Sequence, residues 1–321
     1  MTRQYTWARF VGQLGVLLVV FAVANVVVYR TVGYFAAERK YHETVESISS
    51  HPRVRTVFAG DSHVANPLNT FLNTDPNSVA YSVASGGDSL RECFVKLRYA
   101  LEHAPQIDTI VITADPHMFG NVRLASANRS FADKYFISAR DSSGLKDGWL
   151  SALLSQVPLF NDDFLQYLRE FVAESLPGAH RKVRNEDGPR WRELTETQRY
   201  GIAGSTGSGD HEGIGDYEEP FTWYKRILDL AREHNARVIA VRYPVHWQYS
   251  AWAPPAKVAR IQERLRAAGL KDYVDLHDAI TDPAQFDDPD HVTAQAAPVL
   301  LHLLEEKLRQ PLLTTAEAPV P

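Results

Sequence analysis

The stretch that decides the fold reads Val54-Arg55-Thr56-Val57-Phe58-Ala59-Gly60-Asp61-Ser62-His63. Its first six residues are rich in β-branched and aromatic side chains, and Gly60-Asp61-Ser62 is turn chemistry, so the stretch reads as a strand broken by an abrupt turn. Asp108 to Asp115 (DTIVITAD) is apolar along nearly its whole length, as a strand covered on both faces must be. Val79 to Ala84, Arg237 to Tyr243 (RVIAVRY) and Tyr273 to Leu276 (YVDL) read as three further strands. Between them run helical spacings: Leu90, Phe94, Leu97 and Leu101, then Trp223, Ile227, Leu230 and Ala231 after Pro220. A last helix is expected from about His291 to Leu308. Strands alternating with helices predict the α/β class, a parallel sheet covered on both faces in three layers.

Upstream of this domain the chain changes character. Phe10 to Tyr29 holds no charged residue and is interrupted only by Gln13 and Asn25. As a helix it would span about 30 Å, the thickness of a bilayer hydrocarbon core. Trp7 and Tyr29 sit at its edges, where amphipathic aromatics prefer the interface. A cleaved signal peptide is the rival, with Arg3 and Arg9 as its basic region and Ala22-Val23-Ala24 as its cleavage site. The apolar run continues past that site through Val26, Val27, Val28 and Tyr29, which favours a retained anchor.

The expected organisation is a short cytoplasmic segment (1–9), a transmembrane anchor (10–29), a stalk (30–53), a catalytic-looking domain (54–309) and a disordered tail (310–321). Basic residues on the two sides of the anchor nearly balance. A single N-terminal anchor before a large domain points to the periplasmic or extracytoplasmic side of the cell membrane. Residues 116–219 interrupt the strand–helix rhythm as an insertion. It holds a helical pair (Trp149 to Leu154 and Asp162 to Leu176) and a glycine-rich stretch, Gly201 to Gly215. That stretch lacks the Gly-Lys-Ser/Thr ending of a phosphate-binding loop and reads as a mobile loop.

Composition excludes other classes. The 321 residues carry a net charge of −5, without the basic excess of a nucleic-acid-binding chain. The single cysteine, Cys93, rules out an intramolecular disulfide and a cysteine-rich zinc site.

Two motifs carry chemistry. A strand-to-helix turn places the Ser62 hydroxyl at the carboxyl end of the sheet, where open α/β sheets put their sites. The helix N-terminus behind it supplies N–H groups and a positive dipole end for an oxyanion. The bland alternative is an N-cap serine in a βα loop. Near the other end lies Phe286-Asp287-Asp288-Pro289-Asp290-His291, with Asp288 and His291 three apart before the last helix. That spacing lets one loop present an imidazole and the carboxylate that orients it, as a Ser-His-Asp relay requires; the alternative is a surface cap cluster.

Together the two motifs resemble the SGNH, or GDSL, hydrolase superfamily, over roughly Val54 to Arg309. The resemblance implies a flavodoxin-like sheet of about five parallel strands in the order 2-1-3-4-5. It implies Ser62 as nucleophile, His291 as base and Asp288 as its partner. The oxyanion would be held by the Ser62 N–H and by the block Tyr81 to Gly87, with Gly87 the better candidate and Gly86 its neighbour. The third block departs from the family: Thr113-Ala114-Asp115-Pro116-His117 has no asparagine in register. His117, as a neutral ring, is named as the substitute donor. Asp61, His63, Asp115, Arg242, Tyr243, His246 and Trp247 are the candidates to contact substrate. Trp247 and Tyr249 would suit a sugar platform or plain packing. Arg181, Lys182, Arg184, Arg190 and Arg192 cluster around Trp191 as a grip for an anionic glycan or a solvated face. Asp61 with His63 is too small a donor set for a metal, and neither metal nor cofactor is expected. The sequon at Asn128 reads as accidental.

An N-terminal anchor with these motifs looks like an exported branch of that superfamily. Its members include alginate O-acetylation and teichoic-acid D-alanylation proteins. The resemblance implies an acyltransferase that O-acetylates a polysaccharide, beside a polytopic membrane-bound O-acyltransferase that delivers the acyl donor. An esterase using the same relay is the second expectation. A non-catalytic assembly or glycan-binding subunit is the third, motivated by the missing asparagine.

Overall fold

The computed structural model describes residues 2–124, 128–145, 148–161, 164–166, 168–169, 172, 191–309 and 312. In chain order the described helices and strands are α1 (Thr2–Thr31), α2 (Gly33–Glu46), β1 (Thr56–Ala59), α3 (Ser62–Asn73), β2 (Ala80–Ser82), α4 (Leu90–His103) and β3 (Thr109–Thr113). Then follow α5 (Arg129–Ser138), α6 (Gly148–Ser155), α7 (Glu196–Asp210), α8 (Glu219–Glu233), β4 (Arg237–Arg242), α9 (Trp247–Ser250), α10 (Pro255–Ala267), β5 (Asp272–Asp275) and α11 (Ala297–Leu308). The chain divides into two compact units, Met1–His42 with Asp133–Arg184, and Glu43–Ala132 with Asn185–Pro321.

The second unit is the α/β body. Its five strands are all parallel, in the order β2-β1-β3-β4-β5 expected from the motifs. Phe58, Val111, Ile239 and Val241 form one buried cluster with Val64, Leu68 and Leu72 of α3 and Leu300, Leu301 and Leu304 of α11. The alternate residues Val57, Ile110, Ile112 and Ala240 are buried too. Side chains alternate across a strand, so both faces are covered, with α4 and α8 packing on the other side. This double coverage explains why β3 reads as an unbroken apolar run rather than an alternating one. Leu312 joins the core through its N–H to Glu305 Oε1 (2.7 Å); the rest of 310–321 lies outside the described residues.

The glycine-rich stretch departs from its reading as a loop. Glu196–Asp210 is a helix, opened by a capping box in which Thr195 and Gln198 satisfy each other's backbone N–H groups. Gly204 and Gly207 lie under the Trp252 ring, where an added Cβ would stand 3.1 and 3.0 Å from ring atoms. Glycine there admits a large aromatic, and that packing outweighs its poor helix propensity.

In the first unit, Arg9–Thr31 of α1 is long and apolar enough to cross a membrane. Phe35 packs on Phe164 (ring centroids 5.0 Å) and Phe21 on Phe160 (5.3 Å). Tyr135 Oη lies 2.9 Å from His42 Nδ1. The second helix expected in the insertion falls mostly outside the described residues.

Candidate active site

The serine turn begins at Gly60. A Cβ there would stand 2.4 Å from Val64 Cγ2 and 3.1 Å from Thr113, so only glycine lets β1 pass directly into α3. Asp61, not Ser62, caps α3, its carboxylate accepting from the His63 N–H at 3.2 Å. Ser62 is the first helical residue and half-buried, which leaves its hydroxyl free of the capping role that the bland reading gave it.

Beside it runs the turn Ser85-Gly86-Gly87-Asp88, closed by the Asp88 N–H to the Ser85 carbonyl at 3.2 Å. Gly87 has φ of +82°, the left-handed value that favours glycine. An added Cβ on Gly86 would lie 3.8 Å from Ser62 Cβ, which places this turn against the serine. The turn is held from beneath by Lys96, 0% exposed, whose ammonium donates to Ser85 Oγ and Asp88 Oδ2, both at 2.7 Å. Asn128 donates to the Gly86 carbonyl (2.9 Å) and to Asp88 Oδ1 (2.8 Å), so the sequon asparagine is a buried strut. Burial pushes the Asp88 carboxyl up to about 7 against the opposing pull of the Lys96 ammonium.

The histidine turn is built by Asp288. Its Oδ1 accepts from the backbone N–H groups of Asp290 (3.1 Å) and His291 (2.9 Å), and both carboxylate oxygens lie 2.8 Å from His291 Nδ1. The ring is thereby fixed with Nδ1 toward Asp288, while Nε2 is buried and has no hydrogen-bond partner among the described residues. Burial opposes protonation of His291, but its bond to Asp288 and the nearby charges of Asp290 and Asp288 together outweigh it and hold the ring above the usual imidazole range.

Between the two turns lies a network that motif reading did not assemble. His63 Nδ1 meets Asp115 Oδ2 at 3.0 Å, and its Nε2 meets Asp290 Oδ2 at 3.4 Å. The His63 ring stands edge-on to His291 at 5.3 Å between centroids, so the serine and histidine turns converge. Asp61 accepts from His117 Nε2 at 2.7 Å and from the Arg123 guanidinium. Asp115 takes the Thr113 hydroxyl (2.9 Å) and the Tyr243 N–H (2.8 Å) as well. Burial opposes ionisation of Asp61, yet His117, Arg123 and His63 hold its carboxyl well below the usual range. Burial likewise opposes the charge on His63, and Asp61 and Asp115 outweigh it, raising the ring well above its ordinary value.

Asp61, His63 and Asp115, named as substrate contacts, are thus buried and engaged by internal partners. His117, named as an oxyanion donor, is also buried, with Nε2 on Asp61 and Nδ1 unpartnered among the described residues. Arg242 is buried near Asp275 (3.4 Å), and Tyr243 is enclosed. His246 caps α9 and packs edge-on to Trp191 (5.1 Å) and Phe286 (5.7 Å). The two platform aromatics separate: Trp247 is 57% exposed, whereas Tyr249 is buried and donates to Asp210 at 3.1 Å. Arg192 is exposed; Arg181, Lys182, Arg184 and Arg190 lie outside the described residues.

Asp61 and His63, too small a donor set by themselves, are joined in the fold by further donors. Asp61 with His63 and His117, and His63 with Asp290 and His291, each offer three ligand atoms within 4.8 Å. A cation at the first set would compete with Arg123 for Asp61. At the second it would displace the His63–Asp290 contact.

Comparison with known proteins adds little to these residues. No family model matches the chain, and no curated protein matches it. Among solved structures 18 chains match. One is the crystal structure of a "putative acylhydrolase" from Bacteroides fragilis NCTC 9343, 13% identical, with a TM-score of 0.42, covering 84% of this chain and 95% of that one. At that identity and score the likeness says nothing of activity, which has to come from the chain's own residues.

Proposed function

We propose that this protein is a membrane-anchored serine acyltransferase that forms an acyl-enzyme on Ser62 and passes the acyl group to a polysaccharide hydroxyl. The observation that carries the reading is His291, with Nδ1 fixed by Asp288 and Nε2 buried without a partner among the described residues. That is the state a general base needs before it takes a hydroxyl proton. In the first half-reaction Nε2 accepts the Ser62 proton as Oγ bonds to the acyl carbonyl. The imidazolium, stabilised by Asp288, returns that proton to the departing group of the donor. In the second, Nε2 takes the proton of the acceptor hydroxyl as its oxygen attacks the ester, and Ser62 recovers a proton as it leaves. The N-terminal N–H groups of α3 and the Gly86-Gly87 turn are the donors assigned to the oxyanion. Gly86 supports that assignment by lying against Ser62 without a side chain.

Arg9–Thr31 is assigned as the anchor, with the sheet unit on the extracytoplasmic side beside a polytopic protein that supplies the acyl group. The resemblance of the serine and histidine motifs to envelope acylation proteins supports this part, as does the apolar length of α1.

The test is to incubate the full chain with a chromogenic acetyl ester and oligosaccharide acceptors. Mass spectrometry should find acetyl on Ser62 and then on glycan, both absent in Ser62→Ala. Acetyl-Ser62 released only to water would make the protein an esterase. A folded chain with no adduct would remove the catalytic reading.

A further inference from the structure

The segment that follows α5 turns its apolar side chains outward. Gly148 to Asn161 (GWLSALLSQVPLFN) contains no charged residue. In α6, Leu150 is 73% and Leu153 55% exposed, with Leu154 beside them on the same helical stripe, while Ala152 faces inward. Trp149 and Phe160 are exposed as well. A contiguous apolar face of this kind marks an interaction surface.

In the turn that follows α6, residues 156–161, the backbone N–H groups are accounted for. The N–H of Gln156 goes to Leu153 O (3.2 Å), that of Val157 to Leu154 O (2.9 Å) and that of Phe160 to Val157 O (2.8 Å). Asn161 N–H reaches Pro158 O at 3.4 Å, and Pro158 has none to give. The remaining N–H, of Leu159, donates to Asn25 Oδ1 at 3.0 Å. Asn25 Nδ2 in turn donates to Phe21 O at 2.8 Å, and the Ser155 hydroxyl to Ala152 O at 2.8 Å. A turn outside the α-helices whose every N–H is satisfied is what an apolar solvent demands.

Asn25 also fixes the depth. It lies four to six residues inside the end of the apolar stretch of α1, at Tyr29 or Thr31, which is about 6–9 Å along the helix axis. Leu159, bonded at Asn25, stands at that depth, and Phe160 packs on Phe21 one turn further in, about 12–15 Å inside the same end. Interfacial helices bury their apolar faces about 5–10 Å into the headgroup–acyl boundary.

We propose that Gly148–Phe160 is a second membrane element, in which α6 lies in the interfacial layer of the bilayer and the Pro158–Phe160 turn seals against α1. The occupant of the exposed face is lipid, because the face is continuous with a helix that is itself apolar all round. This rests on α1 being retained in the membrane, and the experiment reads that premise separately.

The full chain is reconstituted in phosphatidylcholine–phosphatidylglycerol nanodiscs. An environment-sensitive fluorophore is placed in turn at Leu150→Cys, Leu153→Cys, Val16→Cys within α1, and Glu263→Cys on the exposed side of α10. The native Cys93 is buried, and the unsubstituted chain gives its background. Labels at 150 and 153 should be quenched several-fold more than that at 263 by lipids carrying doxyl near the headgroup, and protected from aqueous iodide. Iodide access at 150 and 153 with a lipid-quenched Val16 overturns this proposal alone. Protection from both quenchers there assigns the face to protein, a second copy or a partner, and also overturns it. An unquenched Val16 overturns the anchor and this proposal together.

Discussion

In the sheet unit Asp61, His63, Asp88, Lys96 and Asp115 lie inside, while in the N-terminal unit Leu150, Leu153 and Phe160 lie outside and Asn25 and Asn161 face inward. The two units nevertheless obey one rule, since each enclosed polar group named has a hydrogen-bond partner. What differs is the surrounding medium for which the remaining surface is made. In the sheet unit enclosed charge fixes two turns with little freedom to move, as a site that must hold a nucleophile and a base in register requires. In the N-terminal unit, local bonding of Asn25 and Asn161 leaves Leu150, Leu153 and Phe160 to face outward.

The largest effect should separate chemistry from this scaffold. Ser62→Ala is expected to lower acyl transfer by about 10⁵-fold or more, as loss of a serine nucleophile does. Asp61 caps the helix, so unfolding of the same variant in urea should stay within about 0.5 kcal/mol of the parent. A large loss of stability would mean that the serine belongs to the scaffold after all.

Next in size comes the buried pair beneath the Ser85–Asp88 turn. Lys96→Met leaves Asp88 enclosed without its cation and should cost about 3–5 kcal/mol in urea unfolding above pH 7, where the Asp88 carboxyl of the parent is ionised. Combining it with Asp88→Leu should recover much of that loss, because the uncompensated carboxylate is then gone. A single variant as stable as the parent would show that the enclosed charge does no structural work.

The same carboxyl gives a pH dependence of known sign. Held up at about 7, Asp88 keeps its proton in the folded chain at pH values where the unfolded chain has released it. Its contribution to stability therefore falls as pH rises from about 4 to about 7, by about 1.4 kcal/mol per pH unit. Asp88→Asn should remove that fall, read as the difference between two urea titrations across the window. Asp61, held low, acts oppositely: its stabilisation is lost as pH drops below the ordinary carboxyl range, and the variant leaves it unchanged.

These partners mark where sequence reading stops. The strands were visible because full enclosure demands unbroken apolar runs, as in Thr109–Thr113, and the Asp288–His291 spacing was visible because both residues share a turn. Arg123 reaches Asp61 across 62 positions and Lys96 reaches Asp88 from within α4, and neither carries a local pattern. The α7 helix is a different case. Glycine and serine content argued for a loop, while Thr195 and Gln198, spaced as a capping box, were a legible signal that composition concealed. Its other cause, Trp252 lying over Gly204 and Gly207, is tertiary and left no local trace.

The smallest effect bears most directly on the contrast between the units. Leu150 in α6 and Val299 in α11 are both exposed apolar residues on helices. If water surrounds both, replacing either by asparagine should change stability by no more than about 0.5 kcal/mol. If lipid covers α6, Leu150→Asn forces an amide against hydrocarbon with no partner and should cost about 1 kcal/mol in nanodiscs, since polar groups are penalised there. Val299→Asn should remain near zero in the same discs. Thermal unfolding of both variants side by side reads the difference. Equal responses would place both faces in water and leave the outward leucines of α6 as ordinary surface residues.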